Sequence, residues 1–232
     1  MATYHSAPSL TAKESCKKLK SNALPVCRAF LFKIMDTIKH TLSSFINLKK
    51  NKYRLVVSAG RGKPIEEILL NFYDDDLYHI LGFQHLTDLD LPKSKKVLFS
   101  DICNGKITDE FLSQSIYFNN SSLNYNIKIR IEMAGHLENF LDSEDFSVST
   151  YRLQHDNHTS ICADYLITCK RFSSDEEYYI FIRKRIEEST FGIVSCFQKE
   201  EIAYWGGIRY LMLKEKINGD KTIVQYKHPN YK

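Results

Sequence analysis

Several common signatures are missing from this sequence. The six cysteines lie at positions 16, 27, 103, 162, 169 and 196, with no C-x-x-C pair and no matching histidine spacing. This pattern indicates neither a zinc knuckle nor a disulfide framework, so we expect no cofactor and no bound metal. Cysteine usage of this kind fits a reducing cytoplasm.

A long apolar run is also missing. The most apolar N-terminal stretch, ALPVCRAFLFKIM, is interrupted by Arg28 and Lys33. It falls far short of the roughly 20 residues that span a membrane, and it lacks the small-residue cleavage pattern of a secretory leader. We therefore expect a soluble cytoplasmic protein with no membrane partner.

The charge is not strongly one-sided. The formal net charge is +4 and the pI is near 8.6, which allows a polyanionic partner without requiring one. The 232 residues, 43% of them hydrophobic, can bury a substantial core, and they contain no internal repeat, low-complexity tract or linker. We predict a single domain over residues 1–232, with an N-terminal helical part (1–50) and an α+β core (51–226).

Helical signals dominate the first part of the chain. TAKE at 11–14 is a capping box for a short basic helix, and Pro25 lies where a second helix would begin. An apolar residue then recurs every fourth position, which predicts one buried stripe formed by Val26, Phe30, Ile34, Ile38, Leu42 and Ile46.

The middle of the chain mixes strands and helices. YRLVVSA and IEEILLNFY indicate two strands around the turn GRGKP, and Asp74 to Asp76 offer N-caps for a helix over 77–89. We expect a loop over 90–106, a short helix in DEFLSQSIYF and a long helix over 122–142, with Arg130 beside its apolar face.

From about residue 147 the pattern changes to short strands separated by polar turns, which predicts an antiparallel sheet and the α+β class. Strand alternation places successive side chains on opposite faces. It predicts three mostly apolar faces with one polar member each: Tyr179, Phe181 and Arg183; Phe191, Ile193, Ser195 and Phe197; Ile208, Tyr210, Met212 and Lys214. Each polar member alone is more often structural than functional.

His79 lies in the apolar run LYHILGFQHL, residues 77–86. A helix that is apolar on all sides is buried, so this imidazole is either bonded within a core or open to a pocket. Gly82, one turn later, costs a helix about 1 kcal/mol relative to Ala and needs a reason such as the close approach of another group. His85 lies on another face, where an ordinary role is expected.

At these residues the sequence resembles a known family. ILLNFYDDDLYHILGFQHLTDL, RIEMAGHLENFLDS, ADYLITCK, YYIFIRKR, FGIVSCF and YLMLKEK follow one another in the order typical of the phage-associated barnase/EndoU/colicin/RelE-like nuclease domains. The resemblance covers roughly residues 25–217. It implies helices packed on an antiparallel β-sheet of about four to five strands, here with an N-terminal helical extension and a helical insertion.

The resemblance also implies metal-independent RNA cleavage by a toxin or phage-conflict effector. In that chemistry a base takes the proton of the ribose 2′-OH, the alkoxide attacks the phosphate, and an acid protonates the 5′-oxygen. Histidine suits the proton steps, and Arg and Lys suit the developing charge. By the match to the family, the catalytic residues are expected to be His79, Arg130, Ser195 and Lys214. Arg183 is added because strand alternation favours it over Lys184 as the residue that faces inward.

RNA is accordingly the expected partner, and an antitoxin or immunity protein a further one. Lys184 is an expected phosphate contact, while Tyr179 and Tyr204 are expected to stack bases of single-stranded RNA. The alternative is a non-catalytic module that binds RNA or a protein through the same basic, aromatic sheet face, because each of these cations can also simply hold a phosphate.

Overall fold

The computed structural model describes residues 37–119, 126–152, 160–170, 176–199 and 204–232. Its helices are α1 (Thr37–Leu48), α2 (Asp74–Ile80), α3 (Lys95–Cys103), α4 (Asp109–Leu112), α5 (Ile127–Ala134) and α6 (Leu137–Asp142). Its strands are β1 (Asn51–Ser58), β2 (Ile65–Leu70), β3 (Phe146–Tyr151), β4 (Tyr165–Lys170), β5 (Glu177–Lys184), β6 (Phe191–Gln198), β7 (Trp205–Asn218) and β8 (Lys221–Lys227). The capping box at 11–14 and the helix start at Pro25 lie outside the described residues.

The strands form a closed barrel, so the predicted arrangement of helices packed on an antiparallel sheet of about four to five strands is wrong. The order is β1-β2-β6-β5-β4-β3-β7, and β7 pairs back onto β1 while β8 extends the sheet from β7. Closure depends on β7, whose 14 residues pair with β3 near their start and with β1 from Tyr210 onward. Because strand alternation does not reveal strand partners, the sequence pattern could not show this closure.

The barrel interior is crossed by polar contacts at one end. Glu66 on β2 accepts a hydrogen bond of 2.7 Å from the hydroxyl of Tyr165 on β4. Its carboxylate also lies 3.3 Å from Nε of Arg209 on β7. Since β4 and β7 are not neighbours of β2 in the sheet order, these contacts run across the inside of the barrel. The face that carries Tyr165 is therefore the inner face.

Helix α1 shows where a strict four-residue repeat departs from the buried face. Phe45 is fully buried, whereas Ile46, which the stripe includes, is 40% exposed. Four residues span slightly more than one helical turn, so a strict i+4 row drifts around the axis. The buried face instead follows Ile38, Thr41, Phe45 and Leu48; the stripe's earlier residues, 26–34, lie outside the described part of the chain.

Two further helix predictions need correction. Residues 95–103, predicted as part of a loop, form α3, which begins after Ser94, whose hydroxyl accepts the amide of Val97 at 3.5 Å. The predicted long helix is two helices, α5 and α6, which are separated at Gly135 and His136. At the start of α2 the N-cap is Tyr73, and Asp76 accepts its amide at 2.8 Å.

Apolar side chains pack in two clusters on opposite faces of the sheet. The main cluster includes Ile180 and Ile182 of β5 and the buried residues of α1, α2, α5 and α6. The second, which we call the outer aromatic cluster, consists of Leu166, Tyr179, Phe181, Phe197 and Tyr204. Alternation along β5 explains this division, because Ile180 and Phe181 point to opposite faces.

Candidate active site

Helix α2 places His79 against a lysine from another helix. Nζ of Lys95, the first residue of α3, lies 2.7 Å from Nε2 of the half-buried His79. An ammonium has donors and no acceptor, so Lys95 donates and Nε2 accepts. The ring proton of the neutral imidazole must then reside on Nδ1. We call the group formed by His79, Lys95 and Arg183 the His79 site.

The surroundings of His79 hold its imidazole in the neutral form. Burial, together with the positive charges of Lys95 and Arg183, lowers the pKa of His79 to about 4. Both cations disfavour a third positive charge nearby. At neutral pH the ring is therefore an unprotonated base flanked by two cations.

Arg130 occupies the space that Gly82 leaves open. A Cβ on Gly82 would lie 2.7 Å from Cδ of Arg130, so this glycine does permit the close approach of another group, as its position in the sequence predicts. The guanidinium of Arg130 is buried and lies 5.1 Å from the ring centre of Phe197. Burial and the charge of Arg130 lower the pKa of His85 to about 4.

The outer face of β5 and β6 carries two of the predicted site residues, Arg183 and Ser195. Ser195 pairs directly with Phe181, and residues opposite each other in an antiparallel pair share a face. Arg183 follows Phe181 by two positions and Phe197 follows Ser195 by two, so all four lie on the outer face. Helix α2 packs along β6. Of the predicted residues, Arg183 and Ser195 lie on this face, Arg130 contacts its Phe197, and the charge of Arg183 acts on His79 of α2.

A β-bulge changes which residues accompany Ser195. Phe181 pairs with Ser195 and Ile182 pairs with Ile193, which leaves Val194 as the extra residue of β6. Phe191 and Ile193 therefore pack in the main cluster, whereas Phe197 packs in the outer aromatic cluster. The prediction that Phe191, Ile193, Ser195 and Phe197 share one face is wrong for this reason.

Lys214 contacts a different set of groups from the other predicted site residues. It is 2% exposed and pairs with Leu55 on the inner face of the barrel. Its Nζ donates to the carbonyl of Ser143 at 2.8 Å and lies 4.3 Å from the ring centre of Phe146. Burial lowers the pKa of Lys214 to about 8.

The three predicted RNA contacts are in two different environments. Tyr179 and Tyr204 are only 2% and 6% exposed, with ring centres 5.8 Å apart in the outer aromatic cluster. Base stacking on these rings stays a prediction, and it would require the cluster to open. Lys184 is exposed and borders a surface cleft of about 560 Å³ lined by Glu67, Leu69, Asp164, Tyr165, Lys184, Ser189 and Phe191. Because two carboxylates border that cleft, it is poorly suited to a phosphate.

Two groups near the site were not singled out from the sequence. Lys95 lies in the segment predicted as a loop, although Ser94 and the i, i+4 pair Leu98 and Ile102 are signals of a helix start. Arg185 forms an ion pair of 2.6 Å with the buried Asp76 and lies 4.2 Å from the ring centre of Tyr73. It thereby fixes the start of α2 against the end of β5.

Within the described ranges, no group of three or more His, Cys, Asp and Glu side chains converges as a set of metal ligands. Across those same residues, no helix has the length and apolar character needed to cross a membrane.

The His79 site combines an unprotonated imidazole with two cations, which is a set of groups suited to phosphodiester chemistry. Comparison with known protein families also indicates a protein that acts on phosphodiesters. The model of a family described as phage-Barnase-EndoU-ColicinE5/D-RelE like nuclease4 matches residues 37–231. The chain belongs to this family of phage-associated nuclease domains. No curated protein and no solved structure matched the chain.

Proposed function

We propose that this nuclease-family protein is a metal-independent endoribonuclease that cleaves RNA by attack of the ribose 2′-OH. The observation that carries the proposal is the His79 site itself. A neutral imidazole can take a proton, and the adjacent cations can hold the phosphate and the charge that develops on it.

Each residue of the proposed mechanism has a role that follows from its position. His79 accepts the proton of the 2′-OH, the alkoxide attacks the phosphorus, and the P–O5′ bond breaks as the leaving oxygen takes up a proton from water. Arg183, exposed at the end of β5, contacts the phosphate. Arg130, buried behind Gly82, contributes fixed positive charge and holds α5 against the outer aromatic cluster. Ser195 and Lys214 stay predictions for the same reaction.

The proposed setting is that of a toxin or phage-conflict effector, with an antitoxin or immunity protein as its regulator. The support for this setting is the phage association in the family description. A domain that degrades cellular RNA needs such an inhibitor wherever it is produced.

A cleavage assay with catalytic amounts of protein tests the proposal. The full chain should cut single-stranded RNA with turnover, and His79→Gln should lower the rate by a factor on the order of 10² to 10⁴. His228→Gln, beyond β8, is the matched control and should cut at the wild-type rate. Stoichiometric binding without cleavage of any RNA would instead support the non-catalytic binding module.

Two further measurements separate the roles of the cations and exclude a metal. Arg183→Met should weaken both RNA binding and cleavage, and the loss of binding should shrink as salt rises, because a phosphate contact is lost. Cleavage should persist in excess EDTA. Activity that disappears in the chelator and returns with a divalent ion would contradict the proposed mechanism.

A further inference from the structure

Lys95 carries a positive charge that no negative side chain balances in the described part of the protein. Its ammonium contacts Nε2 of His79 at 2.7 Å and lies 5.9 Å from the ring centre of Tyr78. Among the described residues no carboxylate pairs with it, and the first turn of α3 contains no acidic residue. A half-buried lysine with no anionic partner is less stable than a paired one, and a bound anion makes the arrangement favourable.

The contact also obstructs the chemistry proposed for His79. Nε2 is the acceptor nitrogen of the neutral ring, and the Lys95 ammonium occupies its lone pair. While this hydrogen bond exists, Nε2 cannot take a proton from a ribose hydroxyl. A phosphate oxygen, which carries negative charge, is a stronger acceptor for an ammonium than a neutral imidazole is.

We propose that Lys95 is a phosphate-binding residue that masks Nε2 of His79 in the free protein and transfers its hydrogen bond to a phosphate oxygen when RNA binds. The inference rests on the proposed function, because it assigns the substrate's phosphate to the His79 site. The hydrogen bond from Lys95 to Nε2 is broken and one from Lys95 to the phosphate oxygen is formed. The proton stays on the Lys95 nitrogen throughout this step. Nε2 is then free to accept the 2′-OH proton.

The exchange has an electrostatic consequence at His79. The groups that face this ring are Lys95 from α3, Arg183 from β5 and the ring of Tyr78 at 5.2 Å. A bound phosphate counters both positive charges. The pKa of His79 should therefore rise from about 4 toward its ordinary value, by at least about one unit.

Histidine NMR on the full chain tests the inference directly. The pKa of His79, assigned by loss of its signal in His79→Gln, is measured alone, with inorganic phosphate, and with an all-deoxy oligonucleotide that the 2′-OH mechanism cannot cut. In the wild type both ligands should raise this pKa. In Lys95→Met the pKa should already be higher in the free protein, and the response to phosphate should be much smaller.

Two variants keep the experiment decisive. Lys96→Met removes the adjacent exposed lysine and should respond like the wild type. Lys95→Gln retains a donor for Nε2 but lacks the charge, so it keeps the ring oriented and should still lose the response to phosphate. An equal response in the wild type, Lys95→Met and Lys95→Gln would overturn the inference, as would an unchanged pKa of His79 in the wild type.

Failure of the inference differs from failure of the proposed function. If His79 responds to phosphate through Lys95 while no RNA is cut, the phosphate site stands and the ribonuclease proposal fails. If RNA is cut in a His79-dependent manner but Lys95→Met cuts at the wild-type rate with the same pH profile, the ribonuclease proposal stands and Lys95 has no role in it.

Discussion

Gly82 connects backbone conformation to the position of Arg130. Its φ is +73°, a left-handed conformation that costs a non-glycine residue about 1–2 kcal/mol. An alanine Cβ would also meet Cδ of Arg130 at 2.7 Å and Cδ1 of Ile127 at 3.1 Å. We predict that Gly82→Ala lowers the free energy of unfolding, measured by urea denaturation, by more than the backbone cost alone.

Gly105→Ala is the matched control for that prediction. Gly105 has a φ of +70°, and a Cβ there would meet nothing within 4 Å. The backbone cost is therefore the same, and the difference between the two variants measures the collision with Arg130 and Ile127. Equal losses would show that the side chain of Arg130 moves away at no cost.

The two histidines of this region predict a pH dependence of stability. The pKa values of His79 and His85 are lowered from 6.5 to about 4 in the folded protein. As pH falls below 6.5, the unfolded chain binds protons at these positions before the folded protein does. Their contribution to stability is thus fully present above about pH 6.5 and is lost as pH falls toward 4.

Urea denaturation at pH 7 and pH 5 checks this dependence. The decrease between the two pH values should be smaller in the double variant His79→Gln/His85→Gln than in the wild type. The control is His228→Gln, which should retain the full decrease. The same decrease in the double variant and the wild type would mean that neither imidazole is held neutral.

At the scale of elements, β-bulges explain why strand alternation located some site residues and not others. The rule correctly places Arg183 with Phe181 because β5 has no extra residue between them. In β7, Val56 pairs with Leu213 and Val57 with Leu211, so Met212 is an extra residue. Lys214 consequently faces the barrel interior, opposite to Tyr210, with which alternation groups it. A single inserted residue exchanges the faces, and composition does not reveal it.

The position of Lys214 on β7 leads to a prediction about stability. Its pKa is lowered from 10.5 to about 8 in the folded protein. Between these values the unfolded chain retains a proton that the folded protein has lost, so this group makes stability rise with pH from about 8 to 10.5. We predict that Lys214→Met removes that rise, with the free energy of unfolding measured in urea from pH 7 to 10.

Lys221→Met, which removes an exposed lysine of β8, is the control and should retain the rise. RNA cleavage by Lys214→Met, compared with cleavage by Arg183→Met, tests the catalytic role that the family resemblance gives to Lys214. A folded Lys214→Met protein that loses cleavage as completely as His79→Gln would show that Lys214 acts in the reaction.

The sequence predicted a helix correctly where capping residues and apolar spacing indicated the same segment. Asp74 to Asp76 indicated the start of a helix carrying His79, although neither its N-cap at Tyr73 nor its end at Ile80 was predictable. The 3₁₀ turn at Phe83–His85 follows Gly82, which has a left-handed conformation and packs against Arg130. The contact with Arg130 is a tertiary feature, which local spacing cannot encode.

At the scale of the whole molecule, the strands of the core were largely predictable and their closure was not. The pairing of β7 with β1 joins residues about 160 positions apart, as in the contact between Arg54 and Glu215 at 2.9 Å. Such pairings depend on the length of β7 and on the contacts that cross the barrel from Glu66. The family resemblance implied an antiparallel sheet of about four to five strands, and the closed barrel corrects that expectation.

The candidate site was predictable only in part for the same reason. His79, Arg130 and Arg183 could be proposed from motif order and alternation. Lys95 could not, because its role depends on how α3 packs against α2, which places its Nζ 2.7 Å from Nε2 of His79. The cation that contacts the proposed base can therefore be identified only from the three-dimensional structure.

The chemistry of the cleavage products tests the central claim most directly. Purified protein is incubated with a single-stranded RNA and with a matched oligonucleotide that carries 2′-deoxyribose at the cut site, and the new ends are identified by mass spectrometry. Attack by the 2′-OH predicts a 2′,3′-cyclic phosphate on the RNA product and no cut at the deoxyribose. A 3′-hydroxyl product, or equal cleavage of the two substrates, would contradict the assignment of His79 as the group that activates the 2′-OH.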